Sequence, residues 1–188
     1  EDGFLADYFE APDEAGLYVI ERLQGRVGSR YHIEIRLPGE RSYRSLPEPL
    51  LPVPEADSLS YETVFEETQN PSGIIQDKWF INVYAHTTLA PRPEEGPYLK
   101  WEVETVHNFV PVFVGPFPPP PPFICYISEP HNPQDILLYD GADITAPQAI
   151  RRQVGRRQID WVLDWRHYFN VYQLSLSERA YRYWSNVD

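Results

Sequence analysis

The sequence predicts a mainly β protein that ends in a short helix. Three observations carry this reading. The 188 residues include 13 Tyr, 5 Trp, 20 Pro and no Met, the composition of strands broken by many punctuated loops. Several segments alternate apolar and polar residues with a period of two. Only two short stretches carry helix-start signals, at 146–153 and 177–187.

The elements follow in chain order. Residues 16–24, GLYVIERLQ, and 30–37, RYHIEIRL, read as strands. In the second, Tyr31, Ile33, Ile35 and Leu37 alternate with His32, Glu34 and Arg36, so one face is wet. Gly25 to Ser29 between them is of hairpin length. A short strand is expected at 43–46, followed by the proline-punctuated crossover LPEPLLPVPEADS, an extended passage between two sheets or subdomains. Strands follow at 58–66, 78–86 and 98–107. In the last, Leu99, Trp101, Val103 and Thr105 share one face, and Lys100, Glu102 and Glu104 share the other. Asn70-Pro71-Ser72-Gly73 is a turn, and the composition of 91–97 excludes a ladder. The run PFPPPPP at 116–122 is restricted to polyproline II and reads as a stiff loop between strands.

FICYIS and DILLYD then suggest short strands. Thr145-Ala146-Pro147 places a cap and a proline suited to a helix over 146–153. Residues 158–172 alternate again, with Ile159, Trp161, Leu163 and Trp165 on one face. Trp101 and Trp161 sit mid-strand and are expected in the core, and the Trp161/Trp165 stripe offers sugar stacking as an alternative. At the end, Ser177 is placed to cap a helix whose stripe is Ala180, Tyr181, Trp184 and Val187.

Charge and motifs narrow the chemistry. Sixteen Lys+Arg against 28 Asp+Glu give a net charge of −12, which opposes a nucleic-acid backbone as partner. The basic cluster Arg151, Arg152, Arg156 and Arg157 reads as a solvated or internal counter-charge. No run of 18 apolar residues is present to span a bilayer as a helix. The lone Cys125, among Phe123, Ile124, Tyr126 and Ile127, reads as a small buried hydrophobe. Phosphate loops, zinc patterns and nucleophile elbows are missing, so neither a cofactor nor a metal is expected. His32, His86, His107, His131 and His167 read as scattered single residues. Glu102/Glu104 and Asp140/Asp143 are the carboxylate pairs a hydrolase would draw on. Asp140 to Asp143 lacks the spacing of a calcium loop.

Several segments together resemble one family. GLYVIERLQGRVGSRYHIEIRL and ERSYRSLPEPLLPVPEADSLSYE are similar to the opening of a Bacteroidota outer-membrane lipoprotein family of unknown function, the domain-of-unknown-function 4249 type. PYLKWEVETVHNF resembles its Tyr-x-x-Trp strand, and FICYISE its Cys-aromatic strand. VYQLSLSERAYRYWSNV resembles its most specific signature, Gln-x-Ser-Leu-Ser-x-x-Ala-Tyr-x-Tyr-Trp. The resemblance implies an incomplete Ig-like β-sandwich portion over 1–56 joined to a second β-rich domain over 57–188. It implies a partner of SusC-like TonB-dependent transporters, or of another outer-membrane protein. It further implies membrane attachment only through an N-terminal lipid anchor outside this sequence, which is expected to be truncated at both ends.

The resulting expectation is a non-enzymatic, outer-membrane-associated cell-envelope protein that binds a transporter subunit or its cargo. A stand-alone glycan- or peptide-binding module is the alternative, and a hydrolase the third reading. The residues expected to bind are Trp184, Tyr181, Trp161 and Trp165, with the terminal helix serving as structural lock and docking edge.

Overall fold

A computed structural model describes residues 7–20, 23–37, 39, 41–91, 96–109, 124–132, 134–160, 163 and 166–187. Among the described residues 56% lie in strands and 6% in helix, so the class is the mainly β one that the alternation predicts. Contacts divide the chain into two compact units, Glu1–Leu50 and Leu51–Asp188, where the sequence reading placed the division after residue 56.

The first unit is built of three two-stranded antiparallel ladders. β1 (Phe9–Glu10) pairs with β2 (Tyr18–Val19), β3 (Arg30–Tyr31) with β6 (Glu48–Pro49), and β4 (Glu34–Leu37) with β5 (Arg41–Arg44). Among the described residues of the strand expected over 16–24, Tyr18–Val19 is the paired part. Gly39, at φ +84°, supplies the left-handed residue of the β4–β5 turn. Tyr8 fastens the unit: its hydroxyl donates to the Glu34 carbonyl at 3.1 Å, and its ring meets the edge of Tyr18 at 5.5 Å.

The second unit stacks two antiparallel sheets. One has the order β12 (Gln148–Gln158), β8 (Ile75–Leu89), β7 (Ala56–Gln69). In the other, β9 (Tyr98–Phe109) is central, with β13 (His167–Leu176) on one side. On its opposite side β9 pairs first with β11 (Leu137–Tyr139) and then with β10 (Cys125–Pro130). Alternate residues of each sheet form one core: Val83, Ala85 and Leu89 from β8, Ile150 and Val154 from β12, and Leu99, Trp101 and Val103 from β9. Trp101 is 2% exposed, the core position expected for it. The two sheets thus bury the period-two faces against each other, the arrangement that makes a β-sandwich stable.

Local chemistry sets the connections. Between β7 and β8, the Asn70 side-chain oxygen accepts from the Ser72 and Ile74 amides, and Gly73 takes φ +80°. Just before β9 and just after β11, the Pro97 and Gly141 backbones meet so closely that a Cβ on Gly141 would lie 2.5 Å from the Pro97 carbonyl oxygen. Asp140 to Asp143 is accordingly a packing turn in which Asp140 Oδ1 accepts from the Ala142 amide at 2.9 Å.

The helix expected over 146–153 is instead strand β12. Ile150 and Val154 are four apart, a spacing that keeps one face in a strand as well as in a helix, and the pairing with β8 decides between them. Of the strand expected over 158–172, the described residues show Gln158 as the end of β12 and His167 as the start of β13. The terminal helix α1 (Glu178–Ser185) is present. Ser177 is its cap, with Oγ accepting from the Ala180 amide at 3.1 Å. The polyproline run 116–122, residues 92–95, Trp161 and Trp165 lie outside the described residues.

Candidate functional site

The signature segment, Gln173 to Trp184, closes the second unit. Gln173 faces Trp101 directly across β13–β9. Its Oε1 accepts from the Trp101 indole Nε1–H at 2.9 Å and from the Thr87 hydroxyl of the opposite sheet at 2.7 Å. Its Nε2 donates to the Pro54 carbonyl at 2.8 Å. One carboxamide therefore satisfies two buried donors and ties both sheets to the chain entering β7.

Beyond it, α1 lies on β9. Tyr181 stacks on Tyr98 with ring centroids 4.8 Å apart, and burial raises the phenol pKa of both above the ordinary value. Trp184 is half-buried, with the Lys100 ammonium 3.9 Å from its ring centroid. Lys100 also pairs with Glu102 at 2.7 Å. Of the four aromatics expected to bind a ligand or partner, Tyr181 and Trp184 thus hold the helix to the sheet. Trp161 and Trp165 are among the residues not described. Tyr183, 64% exposed, is the outward aromatic of α1.

The carboxylates offer little acid–base chemistry. Glu102 is exposed and paired with Lys100. Glu104 accepts from Ser128 Oγ, from Asn170 Nδ2 at 3.1 Å and from the Tyr172 hydroxyl at 3.4 Å. The Ser128 bond above all, then that of Asn170, lowers its pKa below the usual carboxylate range. A carboxylate held ionised in this way has no proton to give at neutral pH.

Three histidines that are far apart in sequence meet at one end of the sandwich. His107 and His167 are cross-strand partners whose rings lie nearly parallel with centroids 5.9 Å apart. Phe169 separates His167 from His131, at 4.9 and 5.7 Å. His131 Nε2 accepts from the Arg156 amide at 3.1 Å. His107 Nδ1 and both ring nitrogens of His167 are buried without a hydrogen-bond partner. Burial, then Arg157 and the other two histidines, lowers the His167 pKa to about 4, and burial likewise lowers that of His131. Among the described residues no three His, Cys, Asp or Glu converge to hold a metal ion.

The remaining feature is a surface. On the sheet face that bears the core, β8 is covered from Ile81 to Leu89, but β7 is not. Leu59, Tyr61 and Phe65 on β7 are 49%, 69% and 50% exposed, and Trp79 on β8 is 52% exposed. Phe65 and Trp79 are cross-strand partners with ring centroids 5.2 Å apart. They sit where β12 ends its pairing at Phe80 and the sheet narrows to the two-stranded β7–β8 ribbon, whose Ile75 is also exposed. The outer face of the same sheet is charged: Arg151 pairs with Glu62 and lies over Tyr84, and Arg156 pairs with Glu66 and lies over Phe80. The arginine cluster is thus largely counter-charge. The apolar alternation of 58–66 was legible in the sequence. Its exposure among the described residues was not, because coverage depends on how far the opposite sheet reaches. Among the described residues no helix is long and apolar enough to cross a membrane.

The second unit is thus a sandwich of two sheets with an exposed apolar row on β7 and β8, closed by the signature segment. No curated protein matches the chain, and no solved structure does. The model of the family described as "Domain of unknown function (DUF4249)" matches residues 4–188. With almost its entire length matched, the chain belongs to the DUF4249 family.

Proposed function

We propose that the chain is a non-enzymatic, outer-membrane-associated protein of the cell envelope that binds a subunit of a SusC-like TonB-dependent transporter, or its cargo. The observation that supports this reading is the row of exposed apolar residues Leu59, Tyr61, Phe65, Ile75 and Trp79 on the sheet face that also bears the core residues Val83, Ala85 and Leu89. Contiguous aromatic and aliphatic surface of this kind is characteristic of protein contacts. The envelope location and the transporter follow from the sequence resemblance. The test is purification of the tagged protein from native membranes of its source cells, with the transporter barrel sought in the eluate. Co-elution of the barrel with the wild-type chain, lost on Trp79→Ala in a protein of unchanged melting temperature, supports the reading. Absence of the barrel from the wild-type eluate refutes it.

A further inference from the structure

We propose that the free edge of β7 takes up an extended, basic segment of a partner protein as an added strand. This rests on the reading of the chain as a binding protein and names the chemistry of what is bound. Three observations converge on that occupant. First, β7 is 14 residues long and, among the described residues, pairs only with β8. Its outer edge is a row of amides and carbonyls that a further strand satisfies. Second, the core-side face beside that edge presents Leu59, Tyr61 and Phe65, with Trp79 behind Phe65, at alternate positions. An added strand places every second side chain over this row.

Third, charge selects the partner. From Leu51 to Asp77 the chain has no Lys or Arg but carries Glu55, Asp57, Glu62, Glu66, Glu67 and Asp77. Glu62 and Glu66 are matched by Arg151 and Arg156, which leaves the start and the far end of the strand acidic. At the start, Pro52, Val53, Pro54, Glu55, Asp57 and Thr88 line an open hollow whose lining includes two carboxylates. The register shift between Ala56 and Ser58 marks that end of the ladder. A second copy of the chain brings the same unrelieved acids against these, and like charges face to face destabilise a strand pair. A strand with Lys or Arg at the ends and apolar residues between them fits. From Asp57 to Phe65 it covers roughly 27 Å, the length of about nine extended residues.

The test titrates the full chain with a blocked nine-residue peptide that has lysine at both ends and alternating valine and threonine between them, by calorimetry and by backbone hydrogen exchange. Two companions are used: the counterpart with glutamate at both ends, and the lysine-ended peptide N-methylated at every second residue. Expected are binding that weakens with salt, new protection of amides within 56–69, and no binding of the acidic peptide. Affinity should fall by about tenfold or more both for the N-methylated peptide and for the Trp79→Ala variant. Binding undiminished by N-methylation, or protection on other strands, overturns strand addition. Concentration-dependent dimers of the chain alone that protect 56–69 overturn the choice of a foreign partner. No binding of the basic peptide by a chain that still co-elutes with the transporter barrel overturns this proposal and leaves the function reading standing. Binding as expected without any barrel in the eluate does the reverse.

Discussion

Replacing Gln173 by Leu keeps the side-chain volume and deletes the one acceptor shared by Trp101 and Thr87. The indole N–H of Trp101 sits on a residue 2% exposed, and the hydroxyl of Thr87 on one 0% exposed, so water replaces neither bond. A buried donor left unmet costs about 1–3 kcal/mol. The indole cannot turn away, whereas the threonine hydroxyl regains part of its loss by rotating, and the Pro54 carbonyl loses its donor as well. The sum is about 2–5 kcal/mol, a large share of the ~5–15 kcal/mol that holds a typical domain. Urea unfolding of the full chain, followed by tryptophan fluorescence and circular dichroism, measures it. Trp101→Phe removes the donor instead of the acceptor, and the double variant completes a cycle. Because the double variant has no indole N–H to leave unmet, it should cost less than the two single changes added, by about 1–3 kcal/mol. A Gln173→Leu midpoint within about 0.5 kcal/mol of wild type refutes the clamp as a whole, and strict additivity in the cycle refutes its bond to Trp101.

Acid should weaken the histidine end of the sandwich. The folded pKa of His167, about 4, lies below its ordinary 6.5, so the unfolded chain binds more protons between these values. Stability is therefore full above about pH 6.5, declines as pH falls toward 4 and loses nothing more from this group below it; urea midpoints against pH should show the slope, and His167→Phe should flatten it. Gly141→Ala forces a methyl against the Pro97 carbonyl and should lower stability by about 1–3 kcal/mol, with a melting temperature unchanged from wild type as the contrary result. Ser177→Ala removes the cap of α1 and should cost about 1 kcal/mol, read as a loss of helical signal together with a shifted midpoint.

Strands with one wet face were legible in the sequence because burial on one side imposes a period of two. The alternation over 58–66, 78–86 and 98–107 lies within β7, β8 and β9, and the structure only lengthens each strand. Where spacing fits two periods, local pattern cannot choose. Ile150 and Val154 beside a Thr-Ala-Pro start looked helical, and β8 supplied the ladder that made them a strand. The terminal helix was readable because cap, first-turn acid and apolar stripe all agree within a dozen residues. The histidine cluster was not, since His107, His131 and His167 are joined only by the register of β13 on β9 and by the turn after β10. The exposed apolar row escaped for the same reason: a periodic face says which side is apolar, not what lies opposite.

The Gln173 clamp also sets an order of assembly. β7 and β8 meet across one tight turn and can pair as soon as both are synthesised. Trp101 waits 72 residues for its acceptor, and Thr87 waits 86. Contacts so distant along the chain are slow to close, and until they close each half-built sheet exposes an apolar face. A chain that stops short of Gln173 leaves β9 without its neighbour and the indole without a partner. The signature thus works as a latch: the nascent chain gains the closed core of this unit only once Gln173 has arrived.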